Sequence, residues 1–241
     1  MNIIILMAGP SKDFEAKGYT YPKYLLELNG EPIIRRVIDG LKPLNADISF
    51  VIRKEDDDKS YLGSTLQILS PNCSIYRVGE ETKGAVCSAL FAIDNINNDD
   101  ELIVLNGDQL VRKGISEAID KFRSMRCDGG IVVFRSVHPR WSYVALDENG
   151  FVNETSEKRP ISDIATAGCY YFRHGKDFVD AAFNTIRKDV NYGGKYYICS
   201  TYNELILKQQ KVGIYEIEKN DYISFATPQM YENYLNHKKD E

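Results

Sequence analysis

The sequence lacks the patterns that identify secreted, disulfide-stabilised and membrane-spanning proteins. It has five cysteines, an odd number, and none of them forms a Cys-x-x-Cys pair or a zinc-ligand spacing. No apolar run approaches the length of a membrane span. The apolar residues near the N-terminus follow no basic segment of the kind that begins a signal peptide. We therefore expect a cytoplasmic protein with reduced thiols and no membrane insertion.

The sequence also lacks a concentration of basic residues. The formal net charge is -5 at pH 7, and lysines and arginines are scattered along the chain. Proteins that bind nucleic acid usually carry a basic patch or stripe, so we expect no nucleic-acid partner. A small phosphorylated ligand needs only a few local cations, so this absence does not exclude one.

What the first half does contain is an alternation of strand-like and helix-like segments. Short runs rich in β-branched residues are predicted as strands at 2–6, 48–52, 74–78 and 101–106. Segments with apolar residues near helical spacing separate them, at 32–41, 59–69 and 84–96. Repeated strand–helix–strand units favour a largely parallel sheet, which binds ligands at the carboxyl ends of its strands.

The second half is predicted to complete a mixed sheet. Strands are predicted at 129–134, 142–146, 165–172 and 212–217, and helices at 115–125, 176–187, 200–208 and 228–234. The segment 147–150 is a turn signal, after which a returning strand begins at Phe151. No linker or repeat interrupts the chain, so we expect an α/β protein with a single domain over residues 1–241. The charged tail, 237–241, is expected to fray.

The first candidate ligand-binding segment is the loop after the first predicted strand. Ala8, Gly9 and Pro10 follow the apolar run, and Ser11 and Lys12 come next. A glycine at the end of a first parallel strand lets backbone amides approach a phosphate or a nucleobase closely. Ser11 and Lys12 would add a hydroxyl donor and a cation. The loop matches neither glycine-rich phosphate motif, and the alternative is an ordinary turn between a strand and a helix.

A second segment, 21–25, contains Lys23 beside Pro22, which restricts the backbone. The segment 29–33 follows, with Pro32 suited to the first turn of a helix. This order resembles the first motif of the sugar nucleotidyltransferase family. That motif is a strand, a small-residue turn, a Pro-Lys-Pro-Leu segment and a helix that starts after Asn/Gly-x-Pro. The alternative interpretation of Lys23 is a solvated lysine in a loop.

The resemblance implies a fold and a set of ligands. The fold is the GT-A, or Rossmann-like, architecture, in which three layers surround a mostly parallel mixed sheet. The ligands are a nucleoside triphosphate, a phosphorylated small-molecule acceptor and Mg²⁺, and members of the family often form homodimers. The match covers nearly the whole chain. It is closest to a branch of capsule and surface-polysaccharide proteins, some labelled family-2-like glycosyltransferases, on segments 138–143, 158–162 and 202–206.

A third segment resembles the loop with which this family contacts the nucleobase. It consists of Thr82, Lys83, Gly84 and Ala85, and an apolar helix is predicted to follow it. Gly84 and Ala85 leave room for a flat ring, and Thr82 can form a hydrogen bond with it. The alternative is that Thr82 simply caps the helix.

Asn106, Gly107 and Asp108 follow a buried strand and are assigned to the nucleotide and metal site. An ionised aspartate at the carboxyl end of a strand is well placed for Mg²⁺ bound to triphosphate oxygens. The alternative is an ordinary aspartate in a turn. We predict that Asp108 is the main metal ligand and that Asp108, Lys12 and Lys23 are the catalytic residues.

The acceptor site is assigned to a later part of the chain. Glu157, Lys158 and Arg159 resemble the Glu-Lys-Pro element that holds the acceptor phosphate in this family. Two adjacent cations can bind a dianionic monoester, and Arg159 can do so with two hydrogen bonds. Gly168, in the next strand, would let acceptor hydroxyls approach the backbone. Trp141, the single tryptophan, is predicted either to stack on the acceptor or to fix a hairpin to the core.

The sequence departs from the family pattern at two places. After the first Ala-Gly the family has a glycine, a small residue and an arginine, whereas this chain has Ser11, Lys12 and Asp13. Lys12 is one residue away from the arginine position, but an ammonium group lacks the planar fork of a guanidinium. A second aspartate often completes the metal site, and Ser224 stands in its place, with Asp221 nearby as a weaker candidate.

Three functions are compatible with these residues. The first is transfer of a nucleoside monophosphate to a phosphorylated sugar or polyol, for capsule or surface polysaccharide synthesis. The second is a GT-A glycosyltransferase with a nucleotide-sugar donor, which Lys23 and the pair Glu157 and Lys158 disfavour. The third is a catalytically silent nucleotide-binding protein, which Asp13 and Ser224 suggest.

Overall fold

The structure is a computed structural model that describes residues 1–237 of the chain. Within those residues the strands are, in chain order, β1 (Asn2–Met7), β2 (Glu27–Leu28), β3 (Glu31–Pro32), β4 (Asp47–Arg53), β5 (Ser74–Val78), β6 (Leu102–Asn106), β7 (Gln109–Val111), β8 (Gly129–Arg135), β9 (Ser142–Leu146), β10 (Val152–Glu157), β11 (Ile164–Phe172), β12 (Val212–Glu216) and β13 (Tyr222–Ser224). The α-helices are α1 (Lys12–Ala16), α2 (Ile33–Leu41), α3 (Lys54–Ser60), α4 (Leu62–Leu69), α5 (Ala85–Ala89), α6 (Ile93–Ile96), α7 (Ile115–Ser124), α8 (Gly175–Arg187), α9 (Ile198–Leu207) and α10 (Pro228–His237).

A mixed sheet of nine strands forms the centre of the molecule. Strands β5, β4, β1 and β6 lie side by side in that order and run parallel. Strand β11 runs antiparallel to both β6 and β8, and β12 runs parallel to β8. Most strands therefore share one direction. The predicted α/β fold, three layers around a mostly parallel mixed sheet, is confirmed.

Strand β1 shows why helices cover both faces of the sheet. Ile3, Ile5 and Met7 belong to one apolar cluster, and Ile4 and Leu6 belong to the other. A parallel strand buried on both faces is expected to be apolar throughout, as this one is. Helices α2 and α7 supply the first cluster, and α5, α8 and α9 supply the second.

Strand β11 is buried along its whole length, but its pairing with β8 is interrupted. The register shifts between Thr166 and Tyr170. Gly168 lies inside this bulge with φ +63, a left-handed conformation that favours glycine. A Cβ atom added at Gly168 would lie 2.5 Å from Oε1 of Gln109, so the bulge and that side chain fit each other closely. The bulge turns the strand at the place where β6 ends.

The predicted helix at 59–69 is wrong at its start. The chain forms two helices, α3 and α4, which meet at Tyr61 with φ +53. Helix α3 is polar and has no apolar periodicity, so its sequence does not indicate a helix. Asp57 stabilises the junction, because its Oδ1 accepts a hydrogen bond of 2.7 Å from the amide of Gly63.

The predicted helix at 84–96 is also divided, into α5, a 3-10 turn (Leu90–Ala92) and α6. Of the tail that was expected to fray, residues 238–241 lie outside the described part of the chain. Among residues 1–237, no helix combines the length and the apolar character that a membrane crossing requires.

Candidate active site

A cavity of about 410 Å³ opens where strands β1 and β6 end. Its far wall consists of the hairpin β9–β10 and the bulged part of β11. Most residues that the sequence assigned to a site line it: Ala8, Gly9, Pro10, Lys23, Thr82, Gly84, Ala85, Asn106, Asp108, Trp141, Glu157, Lys158 and Gly168. The fold thus brings together segments that lie about 160 residues apart in the sequence, from Ala8 to Gly168. Such a gathering is expected at the edge of a parallel sheet where its strands end.

Two of the assigned residues lie beneath the cavity instead of in its wall. Ser11 is only 2% exposed, and its Oγ accepts the backbone N–H of Lys23 at 3.4 Å. Gly107 is buried against the core, where an added Cβ would lie 2.6 Å from Cγ of Met7. Both residues therefore support the loops of the site from below.

Four other assigned residues do not line the cavity. Lys12 and Lys83 are exposed and do not line it. Arg159 is turned to the outside, where it donates hydrogen bonds to Ser156 and, at 3.0 Å, to Glu154. Asp221 also lies outside the cavity wall, in the short turn before β13.

Lys23 and Asp108 form an ion pair at the base of the cavity. Nζ of Lys23 lies 2.5 Å from Oδ2 of Asp108, and the side chains are 8% and 15% exposed. Burial opposes a raised pKa of Lys23, but its interactions with Tyr24 and Asp108 outweigh burial and raise that pKa above its ordinary value. Lys23 is therefore a fixed cation at neutral pH, held where β1 and β6 end.

The loop before helix α5 is fixed by backbone contacts with a distant segment. Gly84 has φ +108, and an added Cβ would lie 2.5 Å from the carbonyl oxygen of Tyr196. The amide of Tyr196 donates to the carbonyl of Lys83 at 2.8 Å, and its own carbonyl accepts from Val86 at 3.2 Å. Gly84 is thus required for close approach of two backbone segments.

Thr82 does not cap helix α5. The residue that caps this helix is Gly84, and no side chain bonds to the first amides. The hydroxyl of Thr82 instead lies 2.7 Å from that of Ser88, and both residues line the cavity. This arrangement leaves two hydroxyl groups beside the small residues of the loop.

The hairpin β9–β10 presents a hydroxyl–carboxyl pair to the cavity. Ser142 and Glu157 are register partners, and Ser142 Oγ donates a short hydrogen bond to Oε2 of Glu157. Burial raises the pKa of Glu157, against the opposing effects of Ser142 and Lys158. Thr166 and Tyr170 add a second hydroxyl pair, 3.0 Å apart, on β11. Such groups suit the hydroxyls of a polar ligand.

Lys158 reaches the cavity because its backbone is left-handed, with φ +53. Successive residues of a strand point to opposite faces, so a regular strand would separate Lys158 from Glu157. Nζ of Lys158 donates to the hydroxyl of Tyr197 at 3.2 Å and lies 5.3 Å from the ring centre of Tyr192. A non-glycine residue in this conformation is uncommon, and such residues often occur at functional sites.

The sequence did not indicate several residues that line the cavity. Gln109 is buried, and its Nε2 donates to the carbonyls of Ala167 and Gly168 at 3.0 and 2.7 Å. Tyr222 reaches the cavity through the pairing of β13 with β7, and no local pattern reveals such a pairing. The same pairing brings Ser224, which the family pattern placed at the second aspartate position, to the cavity wall. Lys195 and Tyr197 are further lining residues without a sequence signal.

The donor set is compatible with magnesium that arrives with a phosphorylated ligand. Among residues 1–237 no group of three or more His, Cys, Asp or Glu side chains is arranged to hold a metal ion. Mg²⁺ is usually held by one or two carboxylates together with substrate phosphates and water. Asp108 supplies one carboxylate in the cavity, and the hydroxyl of Ser224 lines the same wall.

Comparison with known proteins assigns the chain to a family. The family described as MobA-like NTP transferase domain matches residues 3–157. The chain is 26% identical over 176 residues to the bifunctional protein GlmU of Methanocaldococcus jannaschii, covering 71% of this chain and 40% of that protein. It is 24% identical over 184 residues to the UTP–glucose-1-phosphate uridylyltransferase AglF of Haloferax volcanii, covering 71% and 72%. The chain spans about two fifths of the length of the GlmU relatives it matches.

The fold has a close counterpart among solved structures. The nucleoside-diphosphate-sugar pyrophosphorylase of Vibrio cholerae RC9 superposes with a TM-score of 0.85 and 25% identity, covering 98% of this chain and 100% of that one. This likeness extends past residue 157, so it includes strand β11 of the far wall, whereas the hairpin β9–β10 already lies within the family match.

Proposed function

Because the chain belongs to the MobA-like NTP transferase domain family, we propose that it is a sugar nucleotidyltransferase. The reaction transfers a nucleoside monophosphate from a nucleoside triphosphate to a phosphorylated sugar or polyol and releases pyrophosphate. The observation that carries the proposal is the shared cavity, which is lined by the Lys23–Asp108 pair at its base and by Lys158 in its far wall. The proposed use is in capsule or surface polysaccharide synthesis, on the sequence resemblance to that branch.

The proposed mechanism is a single in-line displacement. An oxygen of the acceptor phosphate attacks the α-phosphorus, a new P–O bond forms, and the bond to the β-phosphate oxygen breaks with its electron pair. Catalysis of this kind depends on positioning and on charge neutralisation, without a covalent intermediate on the protein. Gly84 and Ala85 receive the base, Ala8 to Pro10 and Lys23 bind the phosphates, and Lys158 binds the acceptor phosphate.

Asp108 is the proposed ligand of Mg²⁺. When bound, the cation offsets the negative charge that accumulates on the leaving pyrophosphate. Lys23 then exchanges part of its contact with Asp108 for contacts with triphosphate oxygens. Lys12 is exposed beside the first loop, so it can contact only the part of a triphosphate that extends out of the cavity.

The first experiment is a thermal-shift screen of all nucleoside triphosphates with Mg²⁺, followed by an assay for pyrophosphate release with phosphorylated acceptors. A ligand that binds only the folded state raises the melting temperature by mass action. We expect Asp108→Asn to lower pyrophosphate release by at least about 100-fold, in line with the loss of a main electrostatic contact. Asp221→Asn is the matched control for the weaker metal candidate, and we expect a much smaller effect from it.

The same experiment separates the alternatives. Release of a nucleoside diphosphate from a nucleotide sugar, without pyrophosphate, would identify a glycosyltransferase. Binding of a triphosphate without turnover across the acceptor panel would favour a silent nucleotide-binding protein, which Asp13 and Ser224 suggest. Unchanged pyrophosphate release in Asp108→Asn would show that the site is assigned wrongly.

A further inference from the structure

Four cationic side chains line the cavity, and two of them lack an acidic partner. Lys23 pairs with Asp108 at 2.5 Å, and Lys195 pairs with Oε1 of Glu81 at 2.9 Å. Lys158 and Arg140 have no carboxylate within salt-bridge distance in the part of the chain that the structure describes. Both unpaired cations belong to the wall formed by the β9–β10 hairpin.

The two unpaired cations stand on different sides of that hairpin. Lys158 lies against Tyr197, at the start of helix α9, which belongs to the second apolar cluster. The guanidinium of Arg140 lies 5.2 Å from the ring centre of Trp141, which packs with Tyr222 against the first apolar cluster. These clusters lie on opposite faces of the sheet.

Both cations lie at the open end of the hairpin. Ser142 and Glu157 are the last register pair of β9 and β10, and both face the cavity. Arg140 precedes this pair and Lys158 follows it, and the amide of Lys158 donates to the carbonyl of Trp141 at 3.1 Å. The hairpin therefore separates the two cationic side chains, so they can meet different groups of one ligand.

The guanidinium of Arg140 is suited to a planar anion. Its contact with the Trp141 ring restricts its motion, and the N–H donors at its edge stay free to form hydrogen bonds. A guanidinium fork matches a carboxylate with two parallel hydrogen bonds, whereas a neutral hydroxyl uses only one donor. Arg159, which the sequence assigned to the acceptor, is already engaged by Glu154 outside the cavity. Arg140 is therefore the guanidinium that this wall offers to a ligand.

We propose that Arg140 binds a carboxylate of the acceptor, across the hairpin from the phosphate that Lys158 holds. The inference rests on the proposed function and narrows its substrate class. The acceptor is then a phosphorylated compound that also carries an acid group, such as a phosphorylated sugar acid or hydroxy acid. A sugar phosphate of the same size without a carboxylate would leave Arg140 without a ligand partner.

The test uses acceptor pairs that differ in one carboxylate. 3-Phosphoglycerate is compared with glycerol 3-phosphate, and glucuronic acid 1-phosphate with glucose 1-phosphate. Pyrophosphate release is measured with the nucleoside triphosphate that stabilises the protein, and calorimetry measures acceptor binding. Because a hydrogen-bonded contact with a charged group is worth more than a neutral one, we expect the acidic member of at least one pair to be preferred about 10- to 100-fold.

Variants show which arginine causes the preference for the acidic acceptor. Arg140→Ala is expected to bring the ratio within a pair close to one while leaving use of the neutral member similar, and Arg140→Lys to retain part of the preference. Arg135→Ala is the matched control, since Arg135 is an exposed arginine of strand β8 that pairs with Asp163 and Glu216 outside the cavity. Arg140 is exposed, so these variants are expected to fold, which thermal melting checks.

Several results would overturn the inference. They are equal or better use of the neutral members by the wild-type protein, a preference that survives in Arg140→Ala, or a preference abolished by Arg159→Ala instead. Binding of a triphosphate with no response to either acidic compound would also overturn it. In contrast, a wild-type protein that binds no nucleoside triphosphate at all would refute the proposed function itself.

Discussion

At the scale of single residues, the Lys23–Asp108 pair combines a structural role with the chemical role proposed for it. Its two charges are largely withdrawn from water, yet they face the cavity in which phosphates would bind. A partly buried pair of this kind adds little stability as a whole, but removal of one partner leaves the other charge unsatisfied.

We expect Lys23→Met to lower the free energy of unfolding at pH 7 by about 2–3 kcal/mol, because Asp108 loses its cation while 15% exposed. Urea denaturation measures the change. The double variant Lys23→Met/Asp108→Asn should regain a large part of this stability. If the double variant is less stable than Lys23→Met, the instability has another cause than the unpaired charge.

A second residue-scale prediction concerns Asp56, which is 5% exposed at the start of helix α3. Burial raises its pKa from 3.8 to about 6, against the opposing charge of Arg53. A carboxyl whose pKa is raised on folding binds its proton more tightly in the folded protein. Its contribution to stability is therefore complete below about pH 4 and is lost as the pH rises through about 6.

The variant Asp56→Asn removes this titration. Relative to wild type, it should gain up to about 3 kcal/mol of unfolding free energy between pH 4 and pH 7, from 1.36 kcal/mol per pKa unit. Denaturant unfolding of both proteins at a series of pH values gives the difference between their free energies of unfolding. All other groups titrate alike in the two proteins, so their contributions cancel in this difference. A difference that does not change with pH would refute the raised pKa.

At the scale of elements, the sequence predicts what has a local cause. Strands β1 and β6 are apolar runs that the sequence reveals. The ends of these strands then fix where the residues that follow them, such as Ala8 and Asp108, lie in the fold. Helix α3 is not predictable in this way, because ion pairs such as Lys59 with Glu55 hold a segment that has no apolar face. Tyr222 reaches the cavity because β13 pairs with β7, where its partner Val111 lies about 110 residues earlier in the chain. No local pattern encodes such a pairing.

The position of Arg159 outside the cavity has a similar explanation. The motif around Lys158 indicates a cationic acceptor element, and Lys158 does line the cavity. The left-handed backbone at Lys158 turns its side chain inwards, and the next residue, Arg159, extends outwards. The left-handed φ at Lys158 places Lys158, and not Arg159, in the cavity wall, and the sequence does not specify that angle.

The contact between Gly84 and the Tyr196 backbone gives an element-scale prediction. In Gly84→Ala the new Cβ would lie 2.5 Å from a carbonyl oxygen, at a φ of +108. We expect a loss of about 1–3 kcal/mol in stability, since strain of this kind costs that much. Affinity for the nucleoside triphosphate should fall at least about 10-fold as the loop moves, because 1.4 kcal/mol corresponds to that factor.

Gly150→Ala is the control for this prediction. Gly150 also has a positive φ, +80, but nothing lies within 4 Å of an added Cβ. It should show the conformational cost alone and bind nucleotide like wild type. Equal nucleotide affinity in Gly84→Ala and Gly150→Ala, measured by calorimetry, would remove the role of the close contact.

At the scale of the whole molecule, the two functional walls depend on one continuous sheet. The hydroxyl of Tyr202 is fully buried and donates towards the carbonyls of Gly130 and Tyr171, at 2.9 and 2.7 Å. It thereby ties helix α9 to strands β8 and β11, and β11 forms part of the far wall of the cavity. Its contacts lie outside the cavity.

Tyr202→Phe should therefore lower stability by about 1–3 kcal/mol, since it leaves buried carbonyl groups without this donor. Once a substrate pair is known, its KM values should stay close to those of wild type. Urea denaturation and steady-state kinetics test the two parts. A large change in KM with little loss of stability would show that Tyr202 acts on the site and not on the framework.

Tyr196 and Tyr197 have a consequence for redesign of the protein. The backbone of Tyr196 holds the loop that is proposed to bind the base, and the hydroxyl of its neighbour Tyr197 accepts a hydrogen bond from Lys158. One peptide bond therefore joins the parts that would select the two substrates. If the loop around Gly84 is replaced by that of a relative with another base preference, the dipeptide Tyr196–Tyr197 must be replaced together with it. An insertion between the two tyrosines would displace both half-sites at once, whereas length changes at the exposed turn of Gly193 and Gly194 leave the junction in place.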